Sequence, residues 1–176
     1  MSRDYRPLLE RIGPGAGGSG GREAAMRAVV DAIWDEFGIG SPREGTSSGA
    51  VSWAGFYVWS KSSPEEMTLG PRRDKPACSP IGMHGACGRC FSSRRALVVT
   101  DVAKLGAGYI ACDPRDRSEV VVPCVNPDGS AWGVLDLDSY EVDAFDAFDA
   151  LSLTRLMRSA GLTAQVSDSE GDVEVV

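Results

Sequence analysis

Glu119-Val120-Val121-Val122-Pro123-Cys124-Val125, then Asn126-Pro127-Asp128-Gly129-Ser130, then Ala131-Trp132-Gly133-Val134-Leu135-Asp136-Leu137 is the stretch on which the fold of this 176-residue chain turns. Two runs of β-branched and aliphatic residues flank a block of turn formers, the pattern of a β-hairpin. Upstream, Leu97 to Thr100 reads as another strand and 101–118 as a long loop. Residues 85–94 read as a short helix, Met67-Thr68-Leu69 as a weak strand and Val51 to Ser60 as a strong one. Ala25, Met26, Val29, Val30, Ile33, Trp34 and Phe37 recur at helical spacing, so 22–37 is an amphipathic helix that Gly38 or Gly40 can end. A short helix is expected at 4–12. A final one is expected at 143–160, with Asp143 or Asp146 as N-cap and Gly161 as terminator. This order predicts an α+β domain: one antiparallel sheet with helices packed on one face.

The expected organisation is an N-terminal segment with a glycine-rich linker at 1–21, a folded domain at 22–161 and an acidic, disordered tail at 162–176. The run Gly13-Pro14-Gly15-Ala16-Gly17-Gly18-Ser19-Gly20-Gly21 lacks the Gly-Lys-Ser/Thr ending of a phosphate-binding loop. A net charge of -7 argues against nucleic acid as a partner. No apolar run has the length of a membrane span, and the N-terminus has no signal-peptide core, so a cytoplasmic location is expected. In that compartment, five cysteines point to buried, metal-bound or redox-active thiols rather than staples.

The chemistry-bearing residues cluster between Lys75 and Ser139. Cys78, Cys87 and Cys112 stand in similar Ala-Cys contexts, and Cys112 sits in the long loop beside Asp113 and ahead of Glu119. A cysteine acylase needs a histidine base, and the chain has only His84. Thiols beside acids favour redox chemistry at sulfur. Asp136 and Asp138 share one face of a strand by alternation, where like charges repel. Either they bind something cationic or share a proton, or they lie at a solvated strand end. Trp53 and Tyr57 share a face with Gly55 between them, which fits a pocket wall and fits a plain core strand still better. Cys87 and Cys90 form a lone CxxC, a weak zinc signal without a second pair. Cys124 reads as a core thiol.

In their order, Trp53-Ala54-Gly55-Phe56-Tyr57, Ala77-Cys78, Gly85-Ala86-Cys87-Gly88, Ile110-Ala111-Cys112-Asp113, Ser118-Glu119 and Gly133-Val134-Leu135-Asp136-Leu137-Asp138-Ser139 resemble the free methionine-(R)-sulfoxide reductases, single-domain GAF proteins. The resemblance runs from about Val51 to about Leu156 and implies a GAF-like sheet. It implies Cys112 as nucleophile, with Cys78 and Cys87 resolving and relaying the disulfide. Glu119, Asp136 and Asp138 become the substrate-binding acids, with Trp53 and Tyr57 as pocket aromatics. It further implies reduction of free methionine-(R)-sulfoxide, recycling by thioredoxin, a homodimer, and no metal or cofactor. The spacing from Cys78 to Cys87 is one residue shorter than the family pattern and that from Cys87 to Cys112 one longer, so Cys90 stands as an alternative resolver. The contrasting reading is a GAF module that senses a small molecule or an oxidant without turnover.

Overall fold

The computed structural model describes residues 3–13, 20–41, 50–73, 75–106, 112–164 and 169–176. Most of the glycine-rich run, most of the polar loop at 41–49 and Ile110-Ala111 lie outside them. Helices α1 (Arg6–Arg11) and α2 (Gly21–Phe37) precede strands β1 (Val51–Ser60), β2 (Ser63–Arg73) and β3 (Ile81–Gly82). Then come α3 (Ala86–Ser93), β4 (Ala96–Val99), β5 (Ser118–Val125), β6 (Ala131–Ser139), α4 (Ala147–Ser159) and β7 (Val173–Val175). They build one seven-stranded sheet in the order β3-β2-β1-β6-β5-β4-β7, antiparallel except for the β4–β7 pair.

The hairpin forms as its sequence predicts, with β5 starting at Ser118 and β6 continuing to Ser139, so that Asp138 lies inside a strand. Alternation along β1, β5 and β6 sends Ala54, Phe56, Val120, Val122, Leu135 and Leu137 to one face, where α1, α2 and α4 cover them. Trp53, Tyr57, Val121 and Val134 point to the other, against α3. The one-face arrangement therefore holds for three helices, and α3 lies opposite. β2 is much longer than three residues. Its exposed Glu65, Thr68, Arg72 and Arg73 hid it, because a strand covered on one side needs little apolar sequence. The expected disordered tail is corrected at its end: β7 pairs with the β4 edge, and Arg89 holds Glu174 by an ion pair of 2.5 Å. That edge offered unpaired backbone groups that three residues suffice to satisfy.

Asp146 caps α4, in a reciprocal capping box with Asp149. Asp149 is also the anchor of the N-terminal arm. It accepts from Arg3 Nη1 at 3.0 Å and from Tyr5 Oη at 2.9 Å, and the Arg3–Asp149 pair is almost fully buried. Burial pushes the Asp149 carboxyl up, against the pull of Arg3. Removing one partner of such a pair leaves an uncompensated buried charge. Arg3→Met is expected to lower stability by about 3 kcal/mol and Tm by about 6–12 °C in a thermal melt at pH 7. A melt within a degree or two of the parent would make the arm an ornament.

Candidate active site

The face opposite α1, α2 and α4 carries a cavity of about 260 Å³. Its floor is β6. Asp138 stands opposite Trp53 on β1 and Glu119 on β5, and Asp136 stands opposite Gly55 and Val121. Strand pairing alone thus brings three carboxylates together, with their oxygens within 4.8 Å of one another. That spacing fits a shared cation, either a metal ion or an ammonium group. Glycine is required at 55: a Cβ there would fall 2.4 Å from the Trp53 ring, which lies across it. Trp53 and Tyr57, with ring centroids 5.9 Å apart, are buried in the core cluster on this face and also line the cavity, so both readings meet in them.

Glu119 and Asp136 are buried at 4% and 6% exposure, and Asp136 Oδ1 meets no hydrogen-bond donor among the described residues. Burial, then the Glu119 charge, pushes the Asp136 carboxyl well up. Burial, then Asp136, does the same to Asp138, with Lys75 pulling the other way. Asp136 and Asp138 therefore hold protons above the usual acid range in the free site. Asp116 also lines the cavity; it accepts from Ser52 Oγ at 3.0 Å, and burial raises it too.

The thiols divide by depth. Cys78 and Cys112 are exposed at the mouth, whereas Cys87, Cys90 and Cys124 are buried. Tyr57 Oη donates to the Cys78 carbonyl at 3.1 Å and lies 4.0 Å from Cys112 Sγ. Partial burial, then the neighbouring Cys78 thiol, pushes Cys112 up to about 12, so the resting group is a thiol. Cys87 Sγ donates to Asp136 Oδ2 at 3.4 Å from the first turn of α3. Cys90, the alternative resolver, donates to the Val121 carbonyl at 3.5 Å and lies outside the cavity lining. The CxxC thiols thus go separate ways. Cys124 is a core thiol beneath the other face of the sheet.

Sequence reasoning gave no role to Lys75, Asp113, Asp116 or Tyr140. Asp113 accepts from Lys75 Nζ, from Tyr140 Oη at 3.1 Å and from Arg115 Nη2 at 2.8 Å. Arg115, then Lys75, holds the Asp113 carboxyl well below the usual range. The one visible signal was adjacency: Asp113 follows Cys112, and Lys75 stands three residues before Cys78.

The GAF domain family model matches residues 25–164, which span the sheet from α2 through α4 and the pocket on its α3 face. The free methionine-R-sulfoxide reductase of Saccharomyces cerevisiae is 39% identical over 109 residues, which span 61% of this chain and 60% of that protein. The solved free methionine-R-sulfoxide reductase from Neisseria meningitidis, in complex with its substrate, superposes with a TM-score of 0.74 at 30% identity, covering 91% of this chain and 90% of that one. The fRMsr of Staphylococcus aureus, also in complex with substrate, gives 0.72 at 29%, covering 90% and 94%. The chain belongs to the free methionine-R-sulfoxide reductase family of GAF-domain proteins.

Proposed function

We propose that the protein reduces free L-methionine-(R)-sulfoxide to methionine, with Cys112 as nucleophile. One observation carries the reading: a thiol pair at the mouth of a small cavity whose floor is three clustered carboxylates, Glu119 and Asp136 buried and Asp138 partly so. The relatives whose names and ligands match this chemistry support it. The acids serve the free amino acid's ammonium, a charge that a peptide-bound residue lacks. Arrival of that cation favours ionisation of the cluster, and the proton released is available to the sulfoxide oxygen. The Cys112 sulfur attacks the sulfoxide sulfur, forming an S–S bond and passing its own proton to the vacated carboxylate; that S–S bond and the sulfoxide S–O bond then break as the hydroxyl shifts onto the Cys112 sulfur. Methionine leaves with its sulfur reduced by two electrons, and Cys112, oxidised by two, keeps the oxygen as a sulfenic acid. Cys78 condenses with it: an S–S bond forms, the S–O bond breaks and water departs. Both sulfurs lie at the exposed mouth, where a dithiol protein such as thioredoxin can reduce them by exchange. No helix among the described residues is long and apolar enough to cross a membrane. The homodimer stays a family expectation that sedimentation velocity tests.

Turnover of separated epimers with a thioredoxin system decides the assignment. The expected result is rapid reduction of the free R epimer and little of the S epimer or of an N-acetylated, amidated substrate. Similar rates on all three would remove the ammonium from the argument. Tight binding without turnover would make the domain a sensor.

A further inference from the structure

Asp113 takes more contacts than any ordinary surface carboxylate needs. Oδ1 accepts the Arg115 backbone N–H at 3.0 Å and Arg115 Nε at 3.1 Å, while Oδ2 accepts Arg115 Nη2, Tyr140 Oη and Lys75 Nζ. Lys75 and Arg115 also sit over the Tyr140 ring, at 4.7 and 4.6 Å from its centroid. The partners come from three separate segments. Arg115 belongs to the Cys112 turn, which the Asp116 N–H closes on the Asp113 carbonyl at 3.1 Å. Tyr140 follows β6. Lys75 belongs to the segment that carries Cys78, and that segment is sewn to β1 twice, by Trp53 Nε1 on the Lys75 carbonyl at 3.2 Å and Tyr57 Oη on the Cys78 carbonyl.

We propose that Asp113 is a positioning residue for disulfide closure: through Lys75 and Tyr140 it holds the Cys112 turn against the Cys78 segment, so that the two sulfurs meet without a search. This rests on the reading of Cys112 as the group that becomes a sulfenic acid. Disulfide bonding tolerates only a narrow range of Cα separation and Cβ direction. A turn freed by even 1 Å would close slowly. The clamp acts on the second step, since the condensation needs both segments in register, whereas attack on the sulfoxide needs Cys112 and the acid cluster but not the Cys78 sulfur.

The test separates the clamp from the reductase reading by using two oxidants on the full chain. Methionine-(R)-sulfoxide supplies the oxygen in one arm. In the other, stoichiometric hydrogen peroxide converts the Cys112 thiol to sulfenic acid with release of water, whatever the enzyme's activity. Dimedone traps the sulfenic acid, and mass spectrometry counts adduct against the Cys78–Cys112 disulfide. Asp113→Asn and Lys75→Met should each slow closure by about tenfold or more, raising the Cys112 adduct in both arms, while Asp113→Glu restores most of the rate. Closure at the parental rate in both variants overturns the proposal. So does a defect confined to variants whose melting temperature has collapsed, or a parental disulfide that joins Cys112 to Cys87 instead. Absence of methionine in the first arm alone, with the peroxide arm as expected, sinks the reductase reading and leaves the clamp standing.

Discussion

Cys112→Ser is expected to release no methionine even in a single turnover, a loss of at least about 10³-fold. Only the nucleophile takes part in oxygen transfer, and a serine hydroxyl is too weak a nucleophile at sulfur to replace it. The burial of the other candidates sharpens this. Cys87 is buried beside the acids, where it donates to Asp136, and its thiol is pushed far up by burial, then by Asp136 and Glu119. Cys78 shares the exposed mouth with Cys112. Cys78→Ser should therefore release close to one methionine per chain and then stop, because its sulfenic acid finds no partner. Cys87→Ser keeps a donor to Asp136 and should spare the first turnover, with a smaller recycling defect than Cys78→Ser. Rapid-quench counting of methionine per chain, first without reductant for the first turnover and then with the thioredoxin system for recycling, measures all three. A full first equivalent from the Cys112 variant would move the nucleophile elsewhere. Equal recycling by the Cys78 variant would transfer the resolving role to a buried thiol.

How far the sequence led depended on whether the information was local. Alternation along β5 and β6 is local, so the hairpin and the shared face of Asp136 and Asp138 were legible from residue types alone. The choice between a solvated strand end and an acid pair that shares a cation or a proton was not. It depends on which strand lies alongside, and only pairing with β1 places Trp53 and Gly55 opposite the acids. The same limit hid the Arg3–Asp149 pair, whose members stand 146 residues apart, and the Lys75–Asp113 contact across 38. Isolated charges read as solvated surface until a partner is known. The β4–β7 pair was invisible for a further reason. Val173-Glu174-Val175 is a short apolar–acidic alternation in an acidic tail, and the unsatisfied sheet edge that recruits it is made elsewhere.

The acids provide the other large effect, and it has opposite signs in stability and activity. Asp136 and Asp138 are raised by burial first and by neighbouring carboxylates next. A group whose folded pKa lies above its unfolded value, about 3.9 for Asp, contributes fully to stability below that unfolded value. The contribution is lost as pH rises through the folded pKa. The parent should therefore lose stability from about pH 4 upward, over the range in which these carboxyls are made to ionise. Asp136→Asn and Asp138→Asn remove that cost while keeping shape. Each should melt at or above the parent at pH 7, by about 1 kcal/mol or a few degrees, and the advantage should shrink toward pH 4. Activity moves the other way. Asp138→Asn should lower kcat by about 10²-fold through loss of a proton donor, whereas Glu119→Gln should chiefly raise KM by loosening the ammonium. Added methionine sharpens the test, because its ammonium favours the ionised form of these acids, a form that is easier to reach as pH rises. It should raise the parent's Tm more at pH 7 than at pH 5, and the rise should shrink in Asp136→Asn. Paired thermal melts and steady-state kinetics across pH 4–8 check both signs. Variants that melt far below the parent at every pH would show that these carboxylates hold the fold together, and the substrate-binding role assigned to them would fall.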